Sequence, residues 1–280
     1  MPRRDGHDGF PIAVEGTAGS AFDVLYVHAN GFCKELWRPI AGAVAVRHPH
    51  SLWLSMDLRG HGSSGRGAPP YLWHPLALDI LAVVGSTSSG SVGVGHSMGA
   101  ASLARAEILA PGTFRTLVLV EPILFPPPHG RANIPIADIA QHRRRVFSDR
   151  DAARRRFAAP GPFATWDPEM LDLYVDHGWG PGGEGWTIRC EPTVEADYYR
   201  EGNNVDTWDR LTAIDTHVVV VVGETSDTHH GSYLEDLVDR FSRVDLVVVG
   251  GAGHLVPMEK PLELANIVAD VLCSGLGTTE

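Results

Sequence analysis

The chain has 280 residues, 44% hydrophobic and 20% charged, with a formal net charge of -11. That length supports one sizeable core carrying a large insertion, and the acidic balance argues against nucleic-acid binding, which needs clustered cations to neutralise phosphates. Cys33, Cys190 and Cys273 are odd in number, far apart and lack metal-ligand spacing, which points to no metal, no disulfide framework and a reducing, cytoplasmic setting.

The opening nine residues are polar with no apolar stretch behind them, so no signal peptide is read there. No run approaches about 18 apolar residues, so no membrane partner is expected. Phe10–Val14 reads as an early strand; with so little chain ahead of Phe22, the sheet should be abbreviated at that edge. Phe22–Val27 and Ser51–Met56 are apolar strand candidates, and Pro75–Val84 a helix. Ser91–Val94 and Thr116–Val120 read as strands around a helix over Ser97–Leu109. His217–Val222 is apolar without alternation, as a strand buried on both faces should be. Helix Ser232–Phe241, strand Asp245–Val249 and helix Lys260–Leu272 follow, and Gly277–Glu280 carries no Ser-Lys-Leu-type address. Alternating strands and helices predict an α/β fold with a mostly parallel sheet covered on both faces.

The alternation breaks between Leu124 and Leu211. Pro126-Pro127-Pro128 opens this stretch, which turns arginine-rich and then aromatic, with Trp166, Tyr174, Trp179, Trp186, Tyr198, Tyr199 and Trp208. It reads as a helical cap, 124–211, inserted into a core of 1–123 and 212–280. Within it, Gln141–Pro160 holds Arg143, Arg144, Arg145, Arg150, Arg154, Arg155 and Arg156 against Asp149 and Asp151, seven cations less two anions, a local +5. The cluster is either an anion-recognition patch or, more plainly, a solvated face paired with acidic neighbours.

The chemistry centres on Gly95-His96-Ser97-Met98-Gly99, a G-x-S-x-G sequence between a strand and a helix. So tight a turn holds the Ser97 hydroxyl up at the sheet end as a nucleophile. A serine needs a base, and the base an orienting acid. His254 is the base candidate, in Gly250-Gly251-Ala252-Gly253-His254 after the last strand. His96 packs in the elbow and His61 belongs to a turn. The acid is Glu121, Asp227 or Glu224, each at the C-terminal edge of the sheet. The N–H groups of Met98 and Asn30 are the oxyanion donors. His28, Phe32, Trp179 and Trp186 are candidate substrate contacts, the ligand being a small acyl molecule, with no cofactor.

His28-Ala29-Asn30-Gly31, Asp57-Leu58-Arg59-Gly60-His61-Gly62-Ser63-Ser64, the Ser97 pentapeptide and Gly253-His254 occur in the order seen in the α/β-hydrolase superfamily, which the chain resembles over nearly its whole length. Lys34-Glu35-Leu36 after Phe32, and Glu121-Pro122, resemble a branch containing fungal toxin-biosynthesis hydrolases and the mycophenolic acid pathway's acyl-coenzyme A hydrolase. That resemblance implies an acid after the strand following the elbow and so favours Glu121 over Asp227, although an aspartate is expected there in the relative. It implies a serine hydrolase of esters or thioesters. A carbon–carbon bond hydrolase of a vinylogous diketone acid uses the same groups, and a non-catalytic binding protein on this fold is the third reading.

Overall fold

The computed structural model describes every residue except 1, 20, 86, 87, 89, 133, 203–205 and 275–280; the tail Gly277–Glu280 therefore lies outside the described residues. Its strands are β1 (Arg3–Asp5), β2 (Pro11–Gly16), β3 (Val24–Val27), β4 (Trp53–Met56), β5 (Ser91–His96), β6 (Phe114–Val120), β7 (Val146–Phe147), β8 (Trp179–Gly182), β9 (Gly185–Ile188), β10 (His217–Gly223) and β11 (Val244–Val249). The helices are α1 (Arg38–Arg47), α2 (His74–Val84), α3 (Met98–Leu109), α4 (Pro135–Gln141), α5 (Arg150–Ala158), α6 (Pro168–Leu173), α7 (Pro192–Glu201), α8 (Gly231–Val238), α9 (Val256–Glu259) and α10 (Pro261–Ser274).

Eight strands form one sheet in the order β1-β2-β4-β3-β5-β6-β10-β11. Pairing is antiparallel from β1 through β2 to β4 and parallel across the rest. The N-terminal edge is therefore not abbreviated: the first 16 residues supply two short strands, joined at the turn around Asp8.

Strand periodicity explains the two cores. Val218, Val220 and Val222 point to one side of β10, into a core they share with Leu76, Ile80 and Val83 of α2, Leu103 of α3 and Leu237 of α8. Val219 and Val221 point to the other side, into a core shared with Ile40 and Val44 of α1 and Leu264 and Val268 of α10. Leu264, Val268 and Leu272 recur every four residues, so one stripe of α10 faces the sheet. An uninterrupted valine run is thus what a strand covered on both faces requires.

The segment between β6 and β10 corrects the all-helical expectation. It carries α4 to α7, but also a three-stranded antiparallel sheet in the order β7-β9-β8. Phe147, Phe157, Trp166, Met170, Tyr174 and Trp179 form its own core, which meets Cys33, Leu36 and Met258 below.

Candidate active site

The elbow explains why Ser97 stands where it does. Chain leaves β5 at His96 and enters α3 at Met98, so Ser97 alone makes the turn, at φ 54° and ψ -113°. This left-handed backbone is costly for a side-chain-bearing residue. Its neighbours must be small: a Cβ on Gly99 would lie 2.4 Å from the Val27 carbonyl oxygen, and one on Gly95 would lie 2.7 Å from the Ala100 nitrogen. The Ser97 N–H donates to Val120 O at 2.9 Å, tying the elbow to β6.

Glu121 follows directly after β6 and is also left-handed, at φ 49°. Its N–H donates to Val221 O at 2.8 Å, so β10 fixes the bend. His254 sits in the loop after β11. Glu259 accepts the Gly253 N–H at 2.6 Å, and the His254 carbonyl accepts His96 Nε2–H at 2.9 Å. Burial and the nearby His254 push the His96 imidazole down to about 3, so it is a neutral donor here.

These three loops bring the groups into line. His254 Nδ1–H donates to Glu121 Oε2 at 2.9 Å, which leaves Nε2 facing Ser97 Oγ at 3.2 Å. Glu121 is fully buried and accepts three further bonds: Gly223 N–H at 2.7 Å, Ser226 Oγ–H at 2.7 Å and His229 Nδ1–H at 2.7 Å. Burial opposes its charge, but the donors on His229 and His254 outweigh burial and hold the carboxyl well below the usual range.

His229 was not anticipated from the sequence. Its Nε2 lies 2.9 Å from Pro122 O while Nδ1 faces Glu121. Both nitrogens face acceptors, so both donate only in the doubly protonated form. Glu121, His229 and His254 also bring three ligand-type atoms within 4.8 Å of one another. Their 2.7 and 2.9 Å contacts are hydrogen-bond distances, and a shared metal would have to open them to reach bonds of about 2.0–2.2 Å.

The other acid candidates are placed elsewhere. Glu224 Oε2 accepts the Gly251 N–H at 2.8 Å. Asp227 lines the cavity beside the site, with its Oδ1 3.2 Å from Thr228 Oγ1. Among the described residues, neither carboxylate is hydrogen-bonded to His254.

A cavity of about 980 Å³ opens onto Ser97 and His254. Asn30, Phe32, Met98 and Trp179 line it; His28 and Trp186 do not, which corrects those two substrate contacts. His28 is buried because its Nδ1–H donates to Ala29 O at 2.7 Å and its Nε2 accepts the Leu58 N–H at 3.0 Å, locking two loops together. Trp186 donates to Val175 O at 2.8 Å on β9. Met98 N–H is the first of α3, one of those a helix leaves without an internal partner. Asn30 N–H has no backbone acceptor among the described residues. The Asn30 side chain is committed, donating to Glu195 O at 2.9 Å.

The remaining motif residues hold this floor. Asp57 Oδ1 accepts Lys34 N–H at 2.8 Å, and its Oδ2 accepts Ser63 N–H at 2.8 Å and Lys34 Nζ at 3.0 Å. Lys34 also reaches Glu35 at 2.5 Å, all three charges being buried. The Lys34-Glu35 and Asp57–Ser64 motifs thus build the loop bearing Asn30.

A protein-family comparison matches residues 24–267 to the alpha/beta hydrolase family. The chain belongs to this family. It is 26% identical over 216 residues to the abhydrolase domain-containing protein ACTT2-1 of Alternaria alternata, covering 64% of this chain and 81% of that one. It is 29% identical over 168 residues to the type I acyl-CoA thioesterase mpaH of Penicillium roqueforti, covering 54% and 38%. Among solved structures, E-2-(acetamidomethylene)succinate hydrolase superposes with a TM-score of 0.82 at 21% identity, over 97% of this chain and 98% of that one. The branch read from the motifs is thus the one the comparisons return, and the family and the thioesterase relative support hydrolase activity. Among the described residues no helix is long and apolar enough to cross a membrane.

Proposed function

We propose that the protein is a cofactor-independent serine hydrolase of carboxylic esters or acyl thioesters, with the segment over the sheet acting as a substrate cap. The observation carrying this is the unbroken chain from Glu121 through His254 to Ser97, at 2.9 and 3.2 Å. Ser97 Oγ attacks the acyl carbonyl carbon while its proton passes to His254 Nε2. The carbonyl electron pair moves onto oxygen, where the Met98 and Asn30 N–H groups receive it. Collapse of this intermediate breaks the bond to the leaving group, which takes the proton from His254 and departs as an alcohol or thiol. Water then attacks the acyl-Ser97 ester, giving its proton to His254, and the second collapse returns that proton to Ser97 and frees the acid. Glu121 keeps His254 in the productive tautomer and stabilises its cation. The buried thiols of Cys33 and Cys190 suit a reducing, cytoplasmic setting.

The test is thiol release from a ladder of acyl-coenzyme A thioesters and phenol release from aryl esters, with Ser97→Ala as blank and fluorophosphonate labelling alongside. Turnover and labelling that both vanish in Ser97→Ala support the reading. Turnover of a vinylogous diketone acid with no ester or thioester hydrolysis would replace it with carbon–carbon bond cleavage.

A further inference from the structure

The seven arginines of Gln141–Pro160 sort into two groups. Four are tied to acids: Arg143 to Glu195 at 2.6 Å, Arg145 to Glu191 at 2.6 Å, Arg150 to Asp176 at 2.5 Å and Arg154 to Asp172 at 2.8 Å. Among the described residues, Arg144, Arg155 and Arg156 are within ion-pair distance of no acid, although Arg155 acts electrostatically on Asp149. Of these three, Arg144 and Arg156 line the cavity that holds Ser97, and Arg155 does not. Arg144 and Arg156 are exposed, yet both line the cavity without a neighbouring carboxylate among the described residues, on a chain whose net charge is -11.

Their surroundings favour an anion. Arg144 is braced over Phe147, its guanidinium carbon 4.9 Å from the ring centroid. Phe157, Phe163 and Trp179 line the same cavity, and apolar walls strengthen a charge's field inside. Glu195 also reaches the cavity but is neutralised by Arg143, and Asp227 enters from the β10 side, next to the triad. Guanidinium groups bind paired anionic oxygens with matched geometry.

Resting on the serine-hydrolase reading, we infer that the substrate carries a second, anionic oxygen group, which Arg144 and Arg156 hold while Ser97 attacks the ester or thioester carbon. Two sources share this chemistry: a carboxylate at the far end of the acyl chain, or a phosphate on a nucleotide-bearing thiol leaving group.

Two matched pairs separate them. The acyl pair is p-nitrophenyl hexanoate and mono-p-nitrophenyl adipate; the leaving-group pair is hexanoyl-N-acetylcysteamine and hexanoyl-coenzyme A. kcat/KM is measured for wild type, Arg144→Gln/Arg156→Gln and the outside control Arg155→Gln. Wild type should prefer the anionic member of one pair by about tenfold or more. The double variant should collapse that ratio, and Arg155→Gln should keep it. A ratio in the first pair assigns a carboxylate, and one in the second a phosphate. Adipate and coenzyme A titrated calorimetrically into Ser97→Ala, with and without the two arginine changes, read the anion site apart from catalysis. Arginine-dependent binding without Ser97-dependent turnover would sustain the anion site and overturn the hydrolase reading. Equal ratios in both pairs, with no arginine-dependent binding, would overturn the anion site and leave the hydrolase reading standing.

Discussion

His229 Nδ1 lies 2.7 Å from Glu121 Oε2, closer than the 2.9 Å from that oxygen to His254 Nδ1. The carboxylate proposed to orient His254 is therefore itself held by a second imidazole, buried and pinned at its far nitrogen by Pro122 O. Ser226 reinforces the arrangement, giving its hydroxyl proton to Glu121 and accepting the His229 N–H at 3.0 Å.

His229 should act as a positioning residue. His229→Gln removes the ring donor to the Glu121 carboxylate, a bond to a charged group worth about 1.5–3 kcal/mol, so kcat/KM should fall roughly tenfold, carried by kcat more than by KM. Glu121 would also lose part of what holds its carboxyl down. That stabilisation is present above its unfolded value of 4.5 and disappears in acid. The gap in melting temperature between wild type and variant should therefore be widest above about pH 5 and narrow as the pH falls. A variant with unchanged kcat and a gap of constant size would leave His229 as packing alone.

Glu121→Gln should keep the fold yet lower kcat/KM by about 10³–10⁴, because the wrong tautomer of His254 then faces Ser97. Asp227→Asn and Glu224→Gln should stay within a few-fold of wild type. Loss in Asp227→Asn with activity retained in Glu121→Gln would transfer the acid role to Asp227.

Lys34 is a stability residue. Lys34→Met would strand Asp57 and Glu35 as buried charges, at a cost of about 3–5 kcal/mol. Urea unfolding should show that loss, and Lys34→Met/Asp57→Asn should recover part of it. An unchanged midpoint in Lys34→Met would mean that Asp57 is satisfied by the Lys34 and Ser63 N–H groups alone.

Acid should destabilise the protein in the range where its buried histidines resist protonation. Burial pushes His28 down to about 4, and His61 and His96 down to about 3. The unfolded chain, near 6.5, binds more protons than the folded one between those values, so stability rises with pH across that window and is lost as pH falls through it. Melting temperature should decline from about pH 6.5 downward, with Glu121 adding to the decline below its unfolded 4.5. His28→Gln should decline less steeply than wild type, by at most roughly 3 kcal/mol over the window. Parallel curves would show that His28 does not contribute.

The local signals that were legible are those a short window contains. Ser97 is flanked by its glycines and placed by β5 and α3; His254 follows its own glycine-rich loop; the valines of β10 announce a strand buried twice. Glu121 stood out only beside rivals, because three carboxylates sit at sheet-end loops and chain position does not say which one turns inward. What decides it is the left-handed bend at Glu121 and the donors from Gly223 and Ser226, about 100 residues away. His229 depended on that same distant contact; the adjacent His229-His230 in the loop after β10 was the available hint. The β8–β9 hairpin was hidden by composition, since Trp179–Trp186 is mostly glycine, proline and tryptophan and shows no alternation. Its pairing puts Trp179 and Trp186 on one face two steps apart, about 7 Å along the strand direction, and only Trp179 reaches the cavity.

Glu195 binds to both halves of the molecule. Its carboxylate takes Arg143, and its backbone oxygen takes the Asn30 amide. Cap residues proposed to choose the substrate are thereby wired to the loop whose Asn30 N–H is proposed to stabilise the negative oxygen during reaction. Grafting a relative's cap onto this core would strip Asn30 of its anchor along with the old pocket. Engineering a new acyl preference here is thus a two-site problem: the incoming segment must supply an acceptor at the place of Glu195 O, or selectivity will change at the expense of turnover.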